Sequence, residues 1–152
     1  MFTLVPSQFF DPASARRALA EVAELKEGAV VKHLEIPQYD AVLVYAADGD
    51  SAVVDEPEIY RLLMRLPDCP EYNKILCSLA DGRLHLAVSQ GKSLLLANSY
   101  PVREFTTAEY YIFLSLNSLQ LNPEISTICW STPLDAEDEM SLYRYFKSVV
   151  YL

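Results

Sequence analysis

The chain has 152 residues, 51% of them apolar and 22% charged, and its 12 basic against 21 acidic side chains leave a formal charge of -9. That apolar fraction excludes a disordered chain, no run approaches the roughly 18 apolar residues that cross a bilayer, and the acidity argues against an extended surface for DNA or RNA, which is held through Lys and Arg. Three widely spaced cysteines, Cys69, Cys77 and Cys129, make no disulfide framework, so the expectation is a soluble, reduced, cytoplasmic protein with neither nucleic acid nor membrane as partner.

Phe2 to Val5 is apolar and closed by Pro6, which lacks a ladder donor, and is predicted as a strand. A helix should follow: Asp11 can cap it, Pro12 suits its first position, and Ala15, Ala18, Leu19 and Val22 form a stripe ending before Gly28. Val30 to Ile36 and Ala41 to Ala47, separated by the turn-rich Pro37-Gln-Tyr-Asp40, carry the β-branched and aromatic residues of strands. An acidic stretch from Asp48 to Glu58 leads to a second helix, with Asp55 or Glu56 near its start, Pro57 in its first turn and Ile59, Leu62, Leu63 and Leu66 at helical spacing. Pro67 stops it, and Asp68-Cys-Pro-Glu71 is the expected boundary between two lobes, residues 1–67 and 68–152.

Beyond that boundary the period changes to a meander. Strands Tyr72 to Ala80, Arg83 to Ser89 and Ser93 to Tyr100 are joined by Asp81-Gly82 and Gly91-Lys92, which carry hairpin turn chemistry. In the middle strand Leu84, Leu86 and Val88 define one apolar face, with His85, Ala87 and Ser89 on a polar or crowded one. Thr106-Thr-Ala-Glu109 has capping-box spacing for a third helix, which Asn122-Pro123 ends. Its body is apolar around most of its circumference, which predicts a helix covered on two sides. Ile125 to Trp130 should be a buried strand, and Asp135 should cap a last helix with Glu137 and Asp138 in its first turn, Arg144 and Lys147 later, and Leu142, Phe146 and Val149 facing the core.

The order is thus βββαβα after an N-terminal βαββα segment, an α/β arrangement that the actin-like ATPase superfamily repeats in each lobe on a ribonuclease H-like mixed sheet. Phe2-Thr-Leu-Val-Pro6, Asn98-Ser-Tyr100, Leu119-Gln-Leu-Asn-Pro-Glu124 and Tyr143-Arg-Tyr-Phe146 resemble the wording of an uncharacterised Bacteroidetes family with an actin-like ATPase fold. Members of that family are longer and carry a further meander ahead of the segment that begins at Phe2. The resemblance therefore implies the last part of one lobe, 1–67, and most of a second, 68–152. It brings no catalytic residues with it.

An actin-like nucleotide site needs glycine-rich hairpins, because only backbone without side chains can bring several amides to phosphate. All four glycines have other expected work: Gly28 ends a helix, Gly49 sits in the acidic loop, and Gly82 and Gly91 turn hairpins. Asp81-Gly82 stands where active relatives of the superfamily hold a metal-linked aspartate and phosphate-contacting backbone, yet Asp-Gly is first of all a hairpin turn. Gly91-Lys92-Ser93 lacks the earlier glycine of a phosphate loop, since Leu86 stands there, and leads into a strand. His33, His85 and the cysteines lack metal-ligand spacing, and the thiols are expected to be buried or at an edge. Asp48-Gly-Asp50 with Asp55 and Glu56 lacks the spacing of a calcium hand. Glu137-Asp-Glu139 is explained by its place at a helix start. No nucleophile is evident, and no spacing links a serine to either histidine.

Ten tyrosines, among them Tyr110, Tyr111, Tyr143, Tyr145 and Tyr151, suggest contact with a second layer or another chain. The favoured reading is a non-catalytic binding or scaffolding module without cofactor, catalytic residue or metal ligand, whose partner is an unknown protein or a second copy of itself. The alternative is a degenerate ATPase or phosphotransferase relic that keeps ATP and Mg²⁺ through Asp81 and Gly82.

Overall fold

Asp81 and Gly82 both take left-handed φ, 54° and 69°, the backbone that lets a two-residue turn follow the twist of the strands it joins. The computed structural model describes residues 1–47 and 56–152, in two compact units, Met1–Pro57 and Glu58–Leu152. The division falls ahead of the second helix rather than behind it, so the Pro67 break lies inside the second unit.

In the first unit, β1 (Phe2–Pro6), β2 (Val30–Ile36) and β3 (Ala41–Ala47) form an antiparallel sheet in the order β1-β3-β2. Asp40 turns β2 into β3 at a φ of 50°, which a short Asx side chain tolerates. Asp11 caps a 3-10 turn, Pro12–Ser14, by accepting from the Ala13 amide at 3.0 Å. Helix α1 (Ala15–Ala20) follows and packs Ala15 and Leu19 with Val42 and Val44. It is shorter than its apolar stripe predicts: Val22 is 63% exposed, and Gly28 lies in a later turn instead of ending the helix. Two buried anchors hold too little packing for another turn to outweigh its ordering cost.

In the second unit, β4 (Asn73–Ala80), β5 (Arg83–Gln90) and β6 (Ser93–Pro101) form the predicted meander. β7 (Thr127–Trp130) and β8 (Ser148–Tyr151) extend it to a mixed sheet in the order β6-β5-β4-β7-β8, antiparallel in the meander and parallel from β4 to β8. Ile75, Cys77, Leu84, Leu86, Val88, Ile128 and Trp130 pack with Ala108, Ile112 and Leu116 of α3 (Phe105–Ser118) and Leu142 of α4 (Ala136–Tyr143). Helix α2 (Glu58–Arg65) contacts β4, β5 and β6 and buries Ile59, Leu62 and Leu63. By alternation it covers the face that carries Leu76, Ser78, His85, Ala87 and Ser89, all of them buried.

Further helix expectations change. The capping box does not form: α3 starts at Phe105 with Glu104 as its N-cap, so Thr106 is already inside the helix and Glu109 lies beyond the reach of its first turn. Nor is α3 covered on two sides, since Tyr110 and Leu114 are 59% and 51% exposed. The last helix stops at Tyr143, and Val149 reaches the core from β8, where Ser148-Val-Val-Tyr151 pairs with Thr127–Trp130. Asp135 holds the N-cap position of α4 without a side-chain cap bond. Ile125, predicted within a buried strand, belongs to a 3-10 turn and is exposed. No helix among the described residues is long and apolar enough to cross a membrane.

Candidate functional site

The β4–β5 reversal opens onto a cleft of about 340 Å³ lined by Asp81, Gly82, Arg83, Arg103, Glu104 and Asp138, with Phe105 at the start of α3. The end of β6 clamps the turn: the Val102 amide donates to the Gly82 carbonyl at 2.9 Å. The Arg83 guanidinium is also engaged, donating to the Ser99 carbonyl at 3.2 Å. Three carboxylates thus face two guanidiniums, one of them held to the sheet. Burial, together with Asp135 and Glu137, pushes the Asp138 carboxyl above its ordinary value. A cation could be attracted by Asp81 and Asp138; a polyphosphate would meet more negative than positive charge.

Asp81 and Gly82 therefore occupy the tight turn expected of them and border the cleft. Gly91, at a φ of 55°, turns β5 into β6 beside Tyr72, whose ring carbon would lie 3.0 Å from an added Cβ. Gly91-Lys92-Ser93 thus builds a hairpin. His33 lies against the Phe10 ring, centroids 4.9 Å apart, within the first unit. All three cysteines are buried. Glu137, Asp138 and Glu139 sit in the first turn of α4, where the dipole favours them. Asp48, Gly49, Asp50 and Asp55 lie outside the described residues. Among the described residues no three His, Cys, Asp or Glu side chains are placed to hold a metal ion.

One link escaped the sequence reading. His85 Nδ1 and the Ser99 hydroxyl are 2.7 Å apart, on residues paired across β5 and β6. Burial pushes the His85 imidazole down, opposed by the Glu58 carboxylate and a hydrogen bond to the Ala80 backbone. A neutral ring is thereby favoured. The pair reads as a cross-strand polar contact on a buried face. Its only signal in the sequence would have been the hairpin register, which a two-residue turn at Gly91-Lys92 sets without the bulge that the ladder contains between Val88 and Ser89.

A family model described as "Protein of unknown function (DUF3822)" matches residues 59–149. No curated protein matches the chain. Among solved structures, a Bacteroides thetaiotaomicron VPI-5482 protein with actin-like ATPase fold and unknown function superposes with a TM-score of 0.80 and 16% identity over 99% of this chain. The chain spans 64% of that protein's length. At such identity the likeness speaks to fold, and it shows a mixed α/β chain of actin-like ATPase fold, as the quoted sequence words imply.

Proposed function

We propose, from the premise that the chain belongs to the family described as "Protein of unknown function (DUF3822)", that it is a non-catalytic binding or scaffolding module of actin-like fold. The charge of the β4–β5 cleft carries this reading. Asp81, Glu104 and Asp138 oppose Arg83 and Arg103 there, and the turn holds a single glycine. Gathering a triphosphate takes several free amides and a surplus of positive charge. The partner is a protein or a second copy of the chain, met through the exposed Tyr110 and Leu114 of α3 and the neighbouring Tyr145, which packs against Phe113. A net charge of -9 and three cysteines that make no disulfide framework support a cytoplasmic setting without nucleic acid.

The second reading is a relic that binds ATP and Mg²⁺ through Asp81 and Gly82. It is favoured by the actin-like ATPase fold of the neighbour and by the 64% of that neighbour's length that this chain spans, which leaves room for a completing lobe. Titration calorimetry with ATP and Mg²⁺ separates the two. The scaffold reading expects no heat of binding; micromolar binding that Asp81→Ala abolishes would establish the relic instead. Sedimentation velocity tests self-association: concentration-dependent growth that Tyr110→Ser with Leu114→Ser suppresses supports it, and a monomer at all concentrations removes the argument from α3.

A further inference from the structure

β6 forms one edge of the second sheet, paired with β5 and, among the described residues, with no strand on its other side. Antiparallel pairing alternates: the residues of one pair exchange hydrogen bonds with each other, and those of the next turn their amides and carbonyls away. The Val102 amide bonds the Gly82 carbonyl at 2.9 Å, so Gly82 and Val102 are a bonded pair, and the unbroken register from Arg83–Pro101 to Val88–Leu96 fixes the rest. Tyr100, Asn98 and Leu96 bond β5, while Pro101, Ser99 and Ala97 turn their backbone groups to the outer edge. Side chains approach most closely in such an unbonded pair, which is how His85 comes within 2.7 Å of Ser99.

The outer edge is closed almost along its length. Pro101 has no amide to offer. The Ser99 amide donates to Oδ1 of its own neighbour Asn98 at 2.8 Å, and the Ser99 carbonyl accepts from Arg83 Nη2 at 3.2 Å. Beyond Leu96 the ladder slips at the bulge, where Leu95 has no partner on β5. Only Ala97 lies between these obstacles.

We propose that Asn98 and Arg83 form a latch that closes the outer edge of β6 to strand addition, the strand excluded being β6 of a second copy of this chain. An added strand would bond Ala97, Ser99 and Pro101 in turn, and with Ser99 engaged through both its amide and its carbonyl, Ala97 alone answers. Charge identifies the excluded strand. From Ser93 to Pro101 there is no Asp, Glu, Lys or Arg, and Leu94, Leu95, Leu96 and Ala97 follow one another. Two chains of charge -9 repel over most of their surface, whereas two β6 strands laid antiparallel put no like charges opposite each other. The charged side chains that commonly protect an edge are missing from this strand, and side-chain hydrogen bonds to Ser99 take their place. Asn98 and Arg83 are both exposed, so releasing the latch leaves the core intact.

Amide hydrogen exchange of the parent chain reads the latch directly. Corrected for intrinsic rates, the Ser99 amide should exchange about two- to tenfold more slowly than the Ala97 amide, although both face outward. Asn98→Ala should remove that difference, and Asn98→Asp, which keeps an oxygen acceptor, should retain it. In sedimentation velocity, Asn98→Ala with Arg83→Ala should associate with rising concentration more than the parent does. That added association should persist when Tyr110→Ser and Leu114→Ser are introduced, and Ala97→Pro, which removes the last outward donor, should abolish it. Equal exchange of Ser99 and Ala97 in the parent, a double variant that sediments as the parent does, or added association that survives Ala97→Pro or is lost with the α3 changes would each overturn the proposal. Should the variants not fold, the two amides of the parent decide alone: a slower Ser99 supports the latch, and equal rates refute it.

Discussion

The Ser141 hydroxyl of α4 shares its proton between both carboxylate oxygens of Glu109 in α3, at 3.0 and 2.9 Å. Glu109 is buried, and that burial raises its carboxyl above the ordinary 4.5, assisted by Asp138 and opposed by Ser141 and Arg144. A carboxyl raised in the folded state binds its proton more readily there than in the unfolded chain. Stability should therefore fall as pH rises from the ordinary carboxyl value through the raised one.

Glu109→Gln keeps an oxygen acceptor for Ser141 and removes the buried charge. Urea unfolding from about pH 4 to pH 7 should show a shallower pH slope than in the parent, the remainder coming from Asp138, which is shifted the same way. Glu109→Ala, which strands the serine, should cost about 1–3 kcal/mol. An unchanged slope in Glu109→Gln would show that the carboxylate titrates normally.

The opposite sign is expected at Glu71. Lys147 Nζ lies 2.5 Å from its carboxylate and holds that carboxyl below its ordinary value. The pair is partly exposed, so solvent screens it, and Lys147→Met should cost only about 0.5 kcal/mol near neutrality. That difference should vanish as pH falls through the lowered Glu71 value and should shrink in high salt. Parallel denaturation of parent and variant at two salt concentrations measures it.

The two hairpin glycines offer a controlled comparison. Gly82 has open space where a Cβ would go, whereas at Gly91 a Cβ would meet the Tyr72 ring at 3.0 Å. Tyr72 is 68% exposed and can swing aside, so Gly82→Ala and Gly91→Ala should each cost about 1 kcal/mol, set by left-handed φ rather than by contact. If Gly91→Ala costs much more and Tyr72→Ala repairs it, the ring is held in place and the clash dominates.

Leu116 is fully buried and Tyr110 largely exposed, six positions apart on α3. Leu116→Ala should destabilise the second unit by about 2–5 kcal/mol, and Tyr110→Ser by less than about 0.5 kcal/mol. Equal losses would mean that the Tyr110 face is covered in solution, which chemical denaturation across a range of protein concentrations would reveal.

Strands that repeat every second residue, turns such as Asp81-Gly82, and stops such as Pro67 were readable because their causes lie within a few residues of one another. Local reading went wrong where a choice depended on distant groups. Thr106-Thr-Ala-Glu109 is a valid capping box taken alone, but α3 has its N-cap two residues earlier, at Glu104, and its glutamate is claimed by Ser141. Leu142, Phe146 and Val149 fit a helical stripe, yet Ser148–Tyr151 becomes a strand because β7 presents an open edge to it. The candidate cleft was half visible: Asp81 and Gly82 could be named, whereas Arg103 and Glu104 come from the connection between β6 and α3, and Asp138 from α4.

By itself the sequence determined an acidic α/β chain, its hairpin turns and most of its helices and strands, because hydrophobic period and turn chemistry act over short separations. The tertiary structure alone decided which side of α3 stays exposed, that His85 meets Ser99, and that Cys129 and Cys77 face opposite sides of the second sheet. Those outcomes rest on ladder register and on which sheet face each helix covers, and no short window of residues contains either.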